Sequence, residues 1–173
     1  MVWVIGSKGM LGSEIIKQLE INQISFIGTD IEVDITNPEE LSTFATQNSN
    51  INWIINCAAY TNVDMAESEI ELAEKINATG AENIAKVAKE ISAKMIHIST
   101  DYVFDGKGKT PYTEIMKTNP TGIYGKTKEK GEKLVLQELP EAYIFRTAWL
   151  YGPRGKNFVY TMVNLMNSKE EIS

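Results

Sequence analysis

The sequence predicts an α/β fold: a Rossmann-like, doubly wound parallel sheet in a three-layer α/β/α arrangement. Three observations predict it. Short apolar runs alternate with amphipathic segments along the chain, the pattern of a parallel sheet covered on both faces. A glycine-rich turn joins the first apolar run to the first amphipathic segment, as at a phosphate-binding strand-to-helix junction. At 173 residues the chain is long enough to bury a sizeable core, and it shows no repeat, low-complexity tract or evident linker, so it reads as a single unit.

Val2-Trp3-Val4-Ile5 is a short apolar run bounded by glycine, as a strand buried on both faces requires. Gly6-Ser7-Lys8-Gly9-Met10-Leu11-Gly12 follows, and Ser13 to Leu19 places apolar residues at helical spacing. Without side chains, Gly6, Gly9 and Gly12 let the chain turn sharply and bring backbone amides and a helix N-terminus up to a pyrophosphate. Their G-x-x-G-x-x-G spacing departs from the dinucleotide fingerprint G-x-G-x-x-G, and a tight turn without a ligand is the competing reading. Ile24 to Gly28 is the second strand, ending at Thr29-Asp30. Asp30 stands where an acid accepts hydrogen bonds from an adenosine ribose and repels a 2′-phosphate. That argues for NADH; Lys8, just before the middle glycine, offsets the repulsion and keeps NADPH open.

Asn37 caps the next helix, with Pro38 in its first turn and Glu40 completing a capping box, and the helix runs to about Gln47. Asn52 to Asn56 is the third strand, leading into Cys57-Ala58-Ala59-Tyr60-Thr61, whose small residues let a strand end lie against a cofactor. Cys57 reads as a small buried filler, because the single histidine, His97, falls in an apolar strand and reads as a satisfied core residue. A long helix spans Ser68 to Glu90 with Leu72, Ile76, Ile84, Val87 and Ala88 on or near one stripe, and Gly80 within it predicts close packing or a bend. Met95 to Ile98 is the fourth strand, with Ser99 and Thr100 at its C-terminal end. A loop with Gly106, Gly108, Pro111 and Pro120 leads into a helix carrying Tyr124, and Glu141 to Arg146 is the fifth strand.

The chemistry-bearing residues are Thr100, Tyr124 and Lys128. A carbonyl that accepts hydride becomes an alkoxide and needs a proton donor within hydrogen-bond reach. Tyrosine has an unperturbed pKa near ~10, and a nearby ammonium favours its phenolate. Tyr124 and Lys128, four apart, share one helix face. A threonine hydroxyl both donates and accepts, so Thr100 suits both the carbonyl and the alcohol. The pair alone also fits a solvated helix face; its place beyond the carboxyl ends of a parallel sheet, where ligands of such sheets bind, is what gives it meaning.

A net charge of −6 without a basic block disfavours nucleic acid as a partner. No apolar run approaches a membrane span, and the start lacks signal-peptide character, so a cytoplasmic location is expected. With one cysteine and one histidine, disulfide frameworks and zinc clusters are excluded and no metal site is expected from the residues.

The glycine turn, Asn56 to Asp64, the Thr100 segment, the Tyr124 helix and Arg146 to Gly152 together resemble the extended short-chain dehydrogenase/reductases, and among them the dTDP-4-dehydrorhamnose reductase family. The resemblance covers essentially the whole chain. It implies reduction of the 4-keto group of dTDP-4-dehydro-L-rhamnose to dTDP-L-rhamnose with NADH or NADPH, a small-molecule nucleotide-sugar substrate, a homodimeric state and an association with magnesium. Gly9, Met10 and Leu11 would then lie at the pyrophosphate, Asp30 at the adenosine ribose, and Asp34 and Ile35 beside the adenine. Ala59, Tyr60, Thr61 and Ile98 would complete the cofactor contacts. Tyr124 would donate the proton, Lys128 would tune it and hold the ribose, and Thr100, Asp101 and Trp149 would meet the sugar nucleotide. Asn77 matches a helix asparagine near the active site. For Trp149, simple core packing is the alternative.

Sugar-nucleotide dehydratases of the superfamily follow the threonine with Asp-Glu, whereas Asp101-Tyr102 follows Thr100 here. Epimerases stay open on sequence alone. The regulatory subunit of methionine adenosyltransferase resembles the same family without catalysing its reaction, and retention of Thr100, Asp101, Tyr124 and Lys128 favours an enzyme. Relatives run on for roughly another hundred residues, a domain-sized segment. Residues 1–173 are therefore read as the NAD(P)-binding domain, with 153–173 entering a substrate region that is missing or truncated and with sugar-nucleotide turnover expected to be poor.

Overall fold

The computed structural model describes residues 1–155 and 157–168; Lys156 and the last residues of the predicted substrate-region entry lie outside the described residues. Five strands form one sheet: β1 (Val2–Ile5), β2 (Phe26–Thr29), β3 (Trp53–Asn56), β4 (Lys94–Thr100) and β5 (Tyr143–Thr147), in the order β2-β1-β3-β4-β5. Every pairing is parallel. The chain winds from β1 outward to β2, then returns to the other side of β1 for β3, so the topology reverses between β1 and β3. Register aligns Ile5 with both Thr29 and Asn56. Gly6, Asp30 and Cys57 consequently leave the sheet at one level, flanking the crevice where open α/β sheets bind ligands.

Helix α1 (Met10–Ile21) packs on β1 and β2. The opposite face carries α2 (Pro38–Gln47), α5 (Ala81–Glu90) and α6 (Ile123–Glu138). Between that layer and the sheet lies the main core, in which Trp3, Ile5, Ile54 and Met95 meet Leu41, Ile84, Val87 and Val135. Helix α7 (Phe158–Ser168) begins against the start of α1, where the buried Asn157 amide reaches the Met10 sulfur and the Gly152 carbonyl. The three-layer expectation holds. None of the helices among the described residues is long and apolar enough to cross a membrane.

Three local expectations need correction. The helix predicted over Ser68–Glu90 is preceded by a separate turn, α3 (Val63–Ala66), and itself splits into α4 (Ile70–Glu74), a π-helical stretch Lys75–Gly80 and α5. Gly80 marks the split: a Cβ there would lie 2.7 Å from Ile35 Cδ1. The wider π turn shifts the phase of the residues before it, which leaves Leu72 half exposed instead of on the buried stripe. At α2, Asn37 Oδ1 accepts the Glu39 and Glu40 amides as expected. The Glu40 carboxylate, however, takes the Asp34 N–H and the Asn37 side-chain amide, because the Asn37 N–H is already bonded to the Asp34 carbonyl.

Candidate active site

A cavity of about 1260 Å³ runs along the carboxyl ends of the strands. Every residue predicted for the site lines it except Tyr60.

Its floor at one end is the glycine turn. Gly6 has a φ of 75°, and a Cβ on it would meet the Ala58 nitrogen at 2.7 Å. A Cβ on Gly12 would lie 2.1 Å from the Gly6 carbonyl oxygen. These two glycines let the turn close between the β3 loop and the first turn of α1. Gly9 caps α1 with no side-chain hydrogen bond, so the helix N-terminus offers its first amides and the positive end of its dipole to the cavity.

At the end of β2, Asp30 accepts the Lys8 amide N–H at 2.9 Å and the Ile31 amide N–H at 3.0 Å. Each carboxylate oxygen keeps a further lone pair for a ligand hydroxyl. Asp34 accepts from the Thr36 amide and hydroxyl, both at 2.8 Å, and these bonds hold its carboxyl below the ordinary range. Ile35 is buried, reaching under Gly80, and its carbonyl accepts the Asn83 side-chain amide.

Toward β4 and α6 the site reaches buried polar groups. Thr100 is buried at the strand end; its hydroxyl donates to Asp101 at 3.2 Å and accepts the Tyr102 amide N–H at 3.2 Å. Tyr124 enters from the first turn of α6, its ring edge-on to Tyr102 at 5.5 Å between centroids. Burial raises the Tyr124 phenol above its ordinary pKa; the Thr100 hydroxyl pulls the other way, and the Asp101 charge adds to the rise. The expectation that Lys128 depresses this phenol is corrected here. The Lys128 ammonium donates to the Ile98 carbonyl at 2.7 Å, and burial brings the lysine itself down to about 8.

Tyr60 is the other correction. Its hydroxyl turns to Glu69, away from the cavity, and its place in the site is held through its backbone. Asn77, in the π-helical stretch, accepts the Tyr60 N–H at 2.8 Å and donates to both the Tyr60 carbonyl and the Thr127 hydroxyl at 3.1 Å. Thr127 in turn donates to the Tyr124 carbonyl at 3.0 Å. One asparagine thus ties the β3 loop to the helix that carries Tyr124. Trp149 is not core: it is 77% exposed, has a φ of 51° and stands edge-on to Phe158. A bulky residue in that backbone region marks local strain, and here it presents an aromatic face at the cavity rim.

Cys57 and His97 behave as fillers. Burial pushes the Cys57 thiol up to about 12. Asn56 accepts the Ala58 amide with its oxygen, so its amide group faces His97 Nδ1 at 3.0 Å and makes that nitrogen the acceptor. The proton is then on Nε2, which has no hydrogen-bond partner among the described residues, so His97 is only half satisfied. Burial and the neighbouring Lys128 charge hold the ring neutral.

Sequence reasoning missed the groups that hold the helix carrying Tyr124. Glu132, one turn beyond Lys128, is buried and accepts from Ser99 Oγ, Arg146 Nε at 2.9 Å and Arg146 Nη2 at 2.6 Å. Its charge is the main influence raising Lys128 against burial. Glu67, ahead of α4, accepts the Ile123 amide at 2.8 Å and so caps α6 from outside. The only signal in the sequence was the repeated spacing of four from Tyr124 to Lys128 to Glu132.

A glycine turn with free helix amides and an acid at the end of β2 line one part of the cavity, and the buried Thr100 and Lys128 with the half-buried Tyr124 line another. Fold and site together define a Rossmann-like α/β domain with a ligand cavity at the carboxyl ends of its strands. A family model described as RmlD substrate binding domain matches residues 1–173, and the chain belongs to that family. It is 42% identical over 176 residues to a dTDP-4-dehydrorhamnose reductase of Escherichia coli, covering 99% of this chain and 58% of that protein. Among solved structures, a dTDP-4-dehydrorhamnose reductase from Clostridium acetobutylicum matches with a TM-score of 0.95 and 46% identity, over 99% of this chain and 61% of the other. One from Bacillus anthracis, in complex with NADP, matches with a TM-score of 0.94 and 40% identity, again over 99% and 61%. The chain thus spans somewhat more than half the length of the relatives it matches.

Proposed function

We propose that this chain supplies the cofactor half of an NAD(P)H-dependent reductase that converts dTDP-4-dehydro-L-rhamnose to dTDP-L-rhamnose. The observation that carries the reading is the placement of Thr100, Tyr124 and Lys128 at one end of a cavity whose other end is the glycine turn. The names of the reductases it resembles support the substrate class.

The bound nicotinamide supplies the hydride. The chain's own residues handle the proton. Tyr124, a phenol that is protonated at neutral pH and whose pKa burial raises further, is the acid that delivers a proton to the C4 oxygen. Thr100 hydrogen-bonds that oxygen and the phenol, and Lys128, pinned by Ile98, holds a positive charge beside the ribose and the developing alkoxide. Asp101 and the exposed face of Trp149 line the sugar side, where an indole packs well on a deoxysugar. Among the described residues no set of three His, Cys, Asp or Glu side chains gathers to hold a metal ion. A homodimer and a cytoplasmic location belong to the same reading.

The test gives the intact protein dTDP-4-dehydrorhamnose and follows the absorbance of NADH or NADPH. Tyr124→Phe is expected to lower turnover about 10²–10⁴-fold while leaving cofactor binding in place. Unchanged turnover in that variant removes Tyr124 as the donor. Wild-type protein that binds cofactor without oxidising it shifts the reading to a regulatory subunit.

A further inference from the structure

We propose that Glu32 sets the choice between the two nicotinamide cofactors by competing with a ribose 2′-phosphate for the ammonium of Lys8. The inference rests on the cofactor-binding reading above and adds a residue that the site itself does not include.

Glu32 stands behind the ribose position and is held from two sides. One carboxylate oxygen accepts the Asp30 amide N–H at 2.8 Å, and the other accepts from Lys8 Nζ at 2.9 Å. Asp30 in turn accepts the Lys8 amide. Lys8 and Asp30 both line the cavity, so the cation at the ribose end is already paired with Glu32 behind it, and the Asp30 carboxylate faces whatever sits there. A 2′-hydroxyl needs only an acceptor, which Asp30 provides. A 2′-phosphate brings about −1.5 to −2 charges at neutral pH, by analogy with other phosphomonoesters. It meets the Asp30 carboxylate and requires the ammonium that Glu32 holds. The Lys8 and Glu32 side chains are 69% and 47% exposed, and exposed pairs exchange partners at little cost. Selection by this device is therefore graded: NADH is preferred and NADPH is admitted when Lys8 lets go of Glu32.

Glu32→Gln isolates the effect. The glutamine carbonyl still accepts the Asp30 amide, so the turn keeps its shape, while the charge that holds Lys8 is gone. Dissociation constants for NADH and NADPH are measured on the protein by nucleotide fluorescence, for wild type, Glu32→Gln, and Glu32→Gln combined with Lys8→Ala. The NADPH to NADH ratio is expected to fall roughly fivefold in Glu32→Gln and to return toward the wild-type value in the double variant. A ratio within about twofold of wild type in Glu32→Gln, with both cofactors still bound, overturns the inference and leaves the cofactor reading intact. A gain that survives the loss of Lys8 also overturns it, because Glu32 would then act by repulsion alone. Failure of the wild-type protein to bind either cofactor overturns the cofactor reading and this inference with it.

Discussion

Two lysines sit at opposite ends of one cavity and are held in opposite ways. Lys128 is 2% exposed, bonded to the Ile98 carbonyl, and its pKa is brought down to about 8 by burial against the opposing charge of Glu132. Lys8 lies in solvent, bonded to the side chain of Glu32, and its pKa is raised by that partner. At the buried end the backbone and a buried ion pair fix the charge, so altering it alters the fold and the proton chemistry together. At the wet end the charge is exchangeable, which suits discrimination between ligands. The contrast predicts that equivalent substitutions have very different consequences at the two ends.

The largest effect is expected at the buried pair. Arg146→Ala leaves the Glu132 carboxylate without its two guanidinium bonds, with only Ser99 remaining. Breaking such a pair from one side costs about 3–5 kcal/mol, measurable as a lower urea midpoint. Because Glu132 is also the charge that sustains the Lys128 ammonium, Glu132→Gln should lower the apparent pKa of Lys128 further and shift the pH profile of cofactor binding downward. Loss of stability with no change in that profile would reduce Glu132 to a packing role.

Lys128 itself gives the next effect, and its sign is unusual. Its folded-state pKa of about 8 lies below its ordinary value of 10.5. Between those values the unfolded chain carries the proton and the folded chain does not, so stability rises with pH. The gain is about 1.4 kcal/mol per pH unit, on the order of 3 kcal/mol across the window, and it develops only above about pH 8. Lys128→Met should abolish this rise. Equal pH dependence of wild type and variant between pH 8 and 10 would show that the ammonium is not desolvated. A smaller loss is expected from Gly12→Ala, whose Cβ would fall 2.1 Å from the Gly6 carbonyl. Overpacking of that kind costs about 1–3 kcal/mol and should weaken cofactor binding by opening the turn.

The same contrast explains what was legible in the sequence. The strands were readable within a residue or two because each is a short apolar run ended by glycine or a polar residue, and the glycine turn and Tyr124-Lys128 spacing are local patterns. What depended on distant contacts was not readable. The π-helical stretch exists because Gly80 admits Ile35 and Asn77 reaches the Tyr60 backbone and Thr127, three contacts that come together only in the fold. The side chain of Tyr60, expected among the cofactor contacts, leaves for Glu69, a partner set by where α4 lies. The Glu132–Arg146 pair needs α6 laid beside the end of β5 before its two halves meet. Glu32 reads in sequence as an ordinary surface acid, and only the folded turn brings it to Lys8.

The smallest effect belongs to that surface pair. Glu32→Gln removes an ion pair between two largely solvated side chains, where the Coulomb gain is small and side-chain ordering offsets it. The amide of Asp30 keeps its acceptor, so no buried group is stranded. The thermal midpoint is expected to fall by no more than about 2–4 °C, even though the cofactor ratio moves. A drop approaching that of Arg146→Ala would mean that Glu32 holds the β2 end together, and a shift in cofactor ratio would then report a distorted turn. Only a stable variant with a moved ratio separates selection from scaffolding, because the two ends differ in whether a charge can be lost without losing the structure around it.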